Sequence, residues 1–274
     1  MFIDILITLL TVLTIVLFLY FLSVQGRRDH PGLQKLQGIC YAHRGLHDKD
    51  TPENSMAAFR AALEKGYGIE LDVHLLKDGN LAVIHDFTLE RTTGAQGNIE
   101  DLTTEQLENY RLQGTDETIP TFRQVLDLYA GKLPLIVEMK STPGNYAQLT
   151  QAVCTMLENY NGPYCLESFD PRCIYWLRKH RPHLIRGQLT ENFFASKTSP
   201  LPWYLKLMML LQVENFLTQP DFVAFKFEDR KNLGNFLVRK IWGIQGVAWT
   251  LTTPENHQVA LQEGWLPIFE NYEP

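Results

Sequence analysis

Ile69-Glu70-Leu71-Asp72-Val73 is the stretch from which the rest of the chain is read. In a strand alternate side chains share a face, so Glu70 and Asp72 project one way, roughly 7 Å apart along the backbone, while Ile69, Leu71 and Val73 project the other. Two carboxylates this close on a mostly buried strand repel one another unless a cation sits between them. A half-exposed strand with solvated acids is the plain alternative, and the neighbouring residues argue against it. Glu138 closes another apolar run, Leu133-Pro134-Leu135-Ile136-Val137-Glu138, and has a same-face partner two residues on in Lys140. Three acids at strand ends, with no cysteine or histidine cluster of zinc spacing, describe a hard oxygen-ligand site for magnesium or calcium.

His43-Arg44-Gly45 and Pro52-Glu53-Asn54-Ser55 lie before this stretch and His85-Asp86 after it, so two histidines, an arginine and the acid pair fall within residues 43–86. That is equipment for metal-assisted chemistry on a phosphate ester. Further along, strands are expected near residues 39–43, 68–73, 133–138, 164–168, 184–189, 222–227, 246–251 and 265–269. Helices are expected at 55–64 (capped by Asn54), 104–111, 121–129, 146–160, 171–180, 203–217, 232–241 and 254–263. Eight strands, each followed by a helix, within about 240 residues fit a (β/α)8 TIM barrel. A doubly wound open sheet is the alternative, and no Gly-rich dinucleotide loop recommends it.

A barrel keeps its chemistry at the C-terminal ends of its strands, and the polar residues obey that rule. His43 and Arg44 close the first strand, Glu70 and Asp72 the second, Glu138 and Lys140 the third. Glu167, Ser168 and Phe169 end the fourth, Gln188 the fifth, Lys226 the sixth and Trp249 the seventh. His85 and Asp86 follow a short extended piece at residues 81–84.

The run from Ile5 to Leu22 is interrupted only by Thr8, Thr11, Thr14 and Tyr20, and matches the length of a transmembrane helix. Its N-terminal flank holds Asp4 and no basic residue, unlike a signal peptide, so residues 1–26 read as an uncleaved single anchor. Arg27 and Arg28 place the remainder in the cytoplasm by the positive-inside rule. Residues 27–37 read as a linker and 38–274 as one domain. Cys40, Cys154, Cys165 and Cys173 have no metal spacing and suit a reducing compartment. A net charge of -6 argues against nucleic acid as a partner.

The ordered set His43-Arg44-Gly45, Pro52-Glu53-Asn54-Ser55, Glu70-Leu71-Asp72-Val73 with Lys77-Asp78-Gly79, His85-Asp86 and Glu138-Met139-Lys140 resembles the glycerophosphodiester phosphodiesterase family. The similarity runs over essentially all of residues 39–269. It implies a metal-dependent barrel that hydrolyses glycerophosphodiesters to glycerol 3-phosphate and an alcohol. It further implies His43 and His85 as the acid and base pair, Glu70, Asp72 and Glu138 as metal ligands, and Arg44 and Lys140 as phosphate-binding cations. Trp249-Thr250 is similar to the family's Trp-Thr segment near the glycerol pocket.

His74 shares the parity of the acids and suits a supporting role; Asp86 suits fixing the loop after His85, and Glu53 either the metal shell or the turn. Two features depart from the family pattern. Residues 203–211, Trp-Tyr-Leu-Lys-Leu-Met-Met-Leu-Leu, are apolar around most of a helix, which fits either a packed helix beside a long loop or a segment lying on the membrane. The close Ile268-Phe269-Glu270-Asn271-Tyr272 replaces the family's Asp-Tyr-Pro-like ending and leaves the last strand's part in the pocket open. A lysophospholipid-directed phosphodiesterase at the membrane surface is the second functional reading.

Overall fold

A computed structural model describes residues 1–196 and 199–274. Strands β1 (Tyr41–His43), β2 (Gly68–Leu75), β3 (Leu81–Val83), β4 (Leu135–Met139), β5 (Tyr164–Ser168), β6 (Arg186–Thr190), β7 (Phe222–Lys226), β8 (Gln245–Leu251) and β9 (Trp265–Phe269) form one sheet. Its order is β1-β9-β8-β7-β6-β5-β4-β2-β3, and β1 also pairs with β2, so eight parallel strands close on themselves. The ninth, β3, is antiparallel to β2 and lies outside the ring. The fold is the (β/α)8 barrel.

The helices are α1 (Phe2–Ser23), α2 (Met56–Glu64), α3 (Glu90–Thr93), α4 (Phe122–Tyr129), α5 (Tyr146–Leu157), α6 (Pro171–His180), α7 (Trp203–Leu211), α8 (Asn215–Thr218), α9 (Leu233–Asn235) and α10 (Pro254–Gln262). Alternation divides each strand between two cores. Outward residues such as Ile69, Leu71, Val137 and Phe225 pack under the helices, and inward ones such as Tyr41, Ile136, Cys165, Phe222 and Ile268 fill the barrel. The inward parity then turns polar at the C-terminal rim, at Glu70, Asp72, Glu138, Glu167, Lys226 and Glu270. A hydrophobic barrel interior thus ends in a charged floor.

Several boundaries differ from the sequence expectation. Ser55, not Asn54, caps α2, its hydroxyl accepting from Ala58 N; Asn54 is drawn inward by a buried acid. Residues 104–109 form a 3-10 helix. The expected helix at 203–217 breaks at Gln212, which adopts φ +57°, and the one at 232–241 is a short turn of α9 followed by a π-helix at Phe236–Ile241. In each case packing against neighbours overrides local periodicity.

The segment expected as a linker is packed. Arg27 is bound by both carboxylate oxygens of Asp221 and by the carbonyl of Leu184. Pro31–Leu36 forms a 3-10 helix whose buried Leu36 joins the core at the bottom of the barrel, its carbonyl accepting from the Tyr41 hydroxyl. The last turn of α1 is docked too: Tyr20 donates to Leu211 O, Trp242 to Phe21 O and Asn215 to Val24 O. Every residue from Phe2 to Leu19, by contrast, is exposed. α1 is long and apolar enough to cross a membrane, a property it shares with signal sequences.

Beneath this junction Glu214 is buried with neither carboxylate oxygen hydrogen-bonded to another side chain among the described residues, and burial pushes its pKa up to about 8. A folded-state pKa above the unfolded one means that stability falls as pH rises from about 4.3, the unfolded glutamate value, toward 8. Glu214→Gln therefore raises the melting temperature near pH 8 and makes little difference near about pH 4.5. Melting curves across that range check it; equal slopes for both proteins would refute it.

Candidate active site

Parallel pairing sets the charged rim in register. Asp72 on β2 lies beside Glu138 on β4, Glu138 beside Glu167 on β5, and His43 on β1 beside Glu70. Oxygens of Glu70, Asp72 and Glu138 all lie within 4.8 Å of one another, and all three residues are buried. Burial, and after it the charges of Asp72, Glu138 and Glu167, hold the Glu70 carboxyl well above the usual range. Burial likewise raises Glu138 to about 7, and raises Glu167 strongly. One oxygen of Glu167 is buried without a hydrogen-bond partner among the described residues.

Asp72 is the exception. Burial works against its charge, yet Lys140, His85, Arg44 and the Asn54 amide outweigh it and hold the carboxyl well below its ordinary value. Lys140 Nζ lies 3.0 Å from Asp72 Oδ1 and 2.9 Å from Glu138 Oε1, while Asn54 Nδ2 donates to Asp72 Oδ2 at 2.8 Å. Arg44 Nε is 3.4 Å from the same oxygen, and its backbone N–H donates to Glu70 Oε2 at 3.3 Å. Arg44 reaches both acids because the chain turns sharply after β1, with φ +55° at Arg44 and +83° at Gly45. A side chain on Gly45 would also meet the backbone of Ala58 at 2.9 Å, so only glycine fits there.

Each histidine has one nitrogen fixed by a carboxylate. His43 Nδ1 is 3.1 Å from Glu270 Oε2, and its Nε2 faces Glu70 Oε2 at 3.9 Å. His47 holds the other oxygen of Glu270 at 3.2 Å. Burial opposes the charge of Glu270, but bonds to His43 and His47 outweigh it and keep the carboxyl well below the usual range. His85 Nδ1 is 2.6 Å from Asp86 Oδ1. Asp86 and Glu53 are tied together by Arg91, and Glu53 also holds Arg44 at 2.9 Å. Burial lowers the pKa of both imidazoles, that of His85 to about 4.

Beside Lys140 a cavity of about 730 Å³ opens between Phe87, Met139, Phe169, Phe193 and Met208. Trp249 stands at the end of β8, edge-on to Phe169 with centroids 5.7 Å apart, and its indole N–H is buried without a partner among the described residues. His74 is buried, 3.3 Å from the carbonyl of His85, so it supports the His85 loop from below.

All eight side chains singled out in the sequence lie at this end of the barrel: His43, His85, Arg44, Lys140, Trp249, Glu70, Asp72 and Glu138. Sequence reasoning undervalued Glu270, which meets the same criterion as the others, the first polar residue after an apolar strand. Arg91 carried no signal, because only the folded loop after β3 brings it to Glu53 and Asp86.

The fit to a divalent cation is decided by the donor set. Three hard oxygen donors converge in a site where local cations leave at least two carboxyls strongly disfavoured as anions, the condition that a bound dication relieves. Fold and rim together define a barrel enzyme equipped for phosphate esters.

Comparison with known proteins narrows this class. The sequence profile described as "Glycerophosphoryl diester phosphodiesterase family" matches residues 43–272. A glycerophosphodiester phosphodiesterase of Caldanaerobacter subterraneus subsp. tengcongensis is 34% identical over 184 residues, covering 64% of this chain and 73% of that protein. Human glycerophosphodiester phosphodiesterase 1 is 32% identical over 252 residues, covering 77% and 71%. Among solved structures, an Oleispira antarctica phosphodiesterase in complex with the product sn-glycerol-3-phosphate superposes with a TM-score of 0.68 at 21% identity, covering 84% of this chain and 92% of that one. The Thermotoga maritima glycerophosphodiester phosphodiesterase gives 0.65 at 24% identity, covering 84% and 93%. The chain belongs to the glycerophosphoryl diester phosphodiesterase family.

The charge balance predicts opposite effects for two neighbours. In metal-free protein Lys140→Met strands Asp72 and Glu138 and costs about 3–5 kcal/mol of stability. Glu70→Gln replaces a carboxyl that the site already disfavours as an anion, and leaves the metal-free melting temperature unchanged or higher. Denaturant titration in EDTA checks both; a Glu70→Gln loss as large as that of Lys140→Met would contradict the account.

Proposed function

We propose that the chain hydrolyses glycerophosphodiesters to sn-glycerol 3-phosphate and an alcohol, with a divalent cation, magnesium or calcium, held by Glu70, Asp72 and Glu138. The observation that carries this reading is the convergence of those three acids between two histidines that are each fixed by a carboxylate. Family membership supplies the substrate class. When bound, the cation would polarise a phosphoryl oxygen and offset charge developing in the transition state.

The chain's own groups do the rest. Arg44 offers a planar fork to the phosphate and Lys140 a compact charge from the opposite side of Asp72. Because Glu270 takes His43 Nδ1, the Nε2 of that ring is the free nitrogen, and it accepts the proton of the attacking oxygen, whether of water or of the glycerol's own hydroxyl. Asp86 likewise leaves Nε2 of His85 free. Burial keeps His85 neutral in the free site, and the anionic diester favours its protonated form. It then gives that proton to the leaving alkoxide as the new P–O bond forms and the old one breaks. The unpartnered indole N–H of Trp249 is the donor open to a glycerol hydroxyl.

Residues 1–26 are the proposed anchor, with one pass across the membrane and the barrel on the cytoplasmic side. Docking of the last turn of α1 to the barrel supports an anchor that stays attached.

Hydrolysis of glycerophosphocholine, glycerophosphoethanolamine, glycerophosphoglycerol and a lysophospholipid, each with EDTA and with metal restored, tests the proposal. Turnover of the water-soluble diesters is expected only with metal present; exclusive turnover of the lysolipid would favour the second reading. Glu70→Ala is expected to abolish turnover without unfolding, and His43→Ala to reduce it by about a hundredfold or more. Glu270→Gln, acting through His43, is expected to lower kcat by about tenfold or more with little change in KM. Near-normal rates for any of the three would remove that residue from its role.

A further inference from the structure

Outside α1, large hydrophobic side chains that remain exposed are concentrated in one part of the surface. Among the described residues beyond the end of α1 twelve are exposed, and eight of them fall on α7, α8, α9 and the π-helix: Trp203, Tyr204, Leu207, Phe216, Leu217, Leu233, Phe236 and Ile241. A barrel helix facing water has no reason to carry these. The elements are contiguous. α9 lies so close to α7 that a side chain on Gly234 would meet Leu210 O at 2.7 Å, and Gln212 donates to Asn235 at 3.0 Å across the same seam.

The docked turn of α1 enters this patch. Tyr20 is bonded to the end of α7, Val24 O to Asn215 on α8, and Phe21 stacks on Trp242 just after the π-helix, centroids 4.8 Å apart. No loose tether separates anchor from barrel. The exposed part of α1, Phe2–Leu19, is ~27 Å long at ~1.5 Å per residue, close to the ~30 Å hydrocarbon core of a bilayer. Hydrocarbon therefore ends where the barrel begins, and whatever flanks Tyr20 on the barrel surface meets the interface.

Charge agrees. The chain as a whole carries -6, yet α7, α8, α9 and the π-helix contain Lys206, Arg239 and Lys240 and no acidic residue. Lys206, Lys240 and, just before α9, Lys231 form no ion pair among the described residues, while the acids nearest in sequence are Glu214, which is buried, and Glu228 and Asp229, which precede Lys231. Aromatic and aliphatic side chains framed by lysines are the composition that settles in the headgroup layer of an anionic membrane.

We propose that this face of the barrel is seated in the headgroup layer of the membrane, so that the anchor and the α7–α9 face together fix the orientation of the enzyme on the bilayer. The proposal rests on α1 being a membrane anchor, and the test separates the two. In the full chain, an environment-sensitive fluorophore is placed by Leu207→Cys, Phe216→Cys or Phe236→Cys, with Leu13→Cys reporting the anchor and Arg123→Cys, on α4 across the barrel, reporting the water side. The four native cysteines are buried or half-buried. Each variant, checked for a wild-type melting curve, is reconstituted into phosphatidylcholine and phosphatidylglycerol vesicles with nitroxide lipids. Labels at 207, 216 and 236 are expected to lose about half or more of their fluorescence to a nitroxide at shallow depth, and the label at 123 almost none. Quenching at 13 alone would leave the anchor and overturn the seated face. No quenching at 13 would overturn both. Labels at 207, 216 and 236 shielded from aqueous iodide but untouched by nitroxide lipid would assign the face to a protein partner and overturn the proposal as well.

Discussion

The structure depends on like charges held together. Parallel pairing of β2, β4 and β5 puts Asp72, Glu138 and Glu167 side by side, with Glu70 one turn of the pleat behind, in a rim almost closed to water. An apolar interior below gives these acids no route to solvent, and two local cations, Lys140 and Arg44, fall short of neutralising them. Asp72 takes most of that compensation and remains an anion, while Glu70, Glu138 and Glu167 are left frustrated. A site in this condition has a strong reason to bind a dication, and the strand register is what creates it.

Around the acids the remaining polar residues form two supports. On one side Glu270 joins His43 to His47; on the other Glu53, Arg91 and Asp86 form a chain that ends on His85 and also steadies Arg44. None of these carboxylates belongs to the three-acid cluster; each reaches it only through a histidine or Arg44. Their effect is to choose which ring nitrogen of each histidine remains free, a choice on which proton transfer in either direction depends.

Much of this was legible in the sequence because strand alternation is a strict rule. Parity alone puts Glu70 with Asp72 and Glu138 with Lys140, and the apolar runs before them show that these residues stand at strand ends. What stayed hidden depends on contacts between distant segments. Arg91 matters only because a loop folds it onto Glu53, and Asn54 leaves the helix cap because a buried carboxylate needs its amide. Glu270 obeys the strand-end rule, but the residues that close the last strand differ from the family's ending, so the resemblance assigns it no role. The break at Gln212 and the docking of residues 27–37 likewise follow from packing partners that local periodicity does not report.

The central claim, that the buried acids form one cation site, is tested most directly by diffraction from crystals grown with manganese, recorded at an anomalous wavelength. The account predicts a single strong peak within about 2.0–2.6 Å of oxygens from Glu70, Asp72 and Glu138. Full metal-dependent activity with no peak there, or with the ion bound at another place on the barrel, would contradict it.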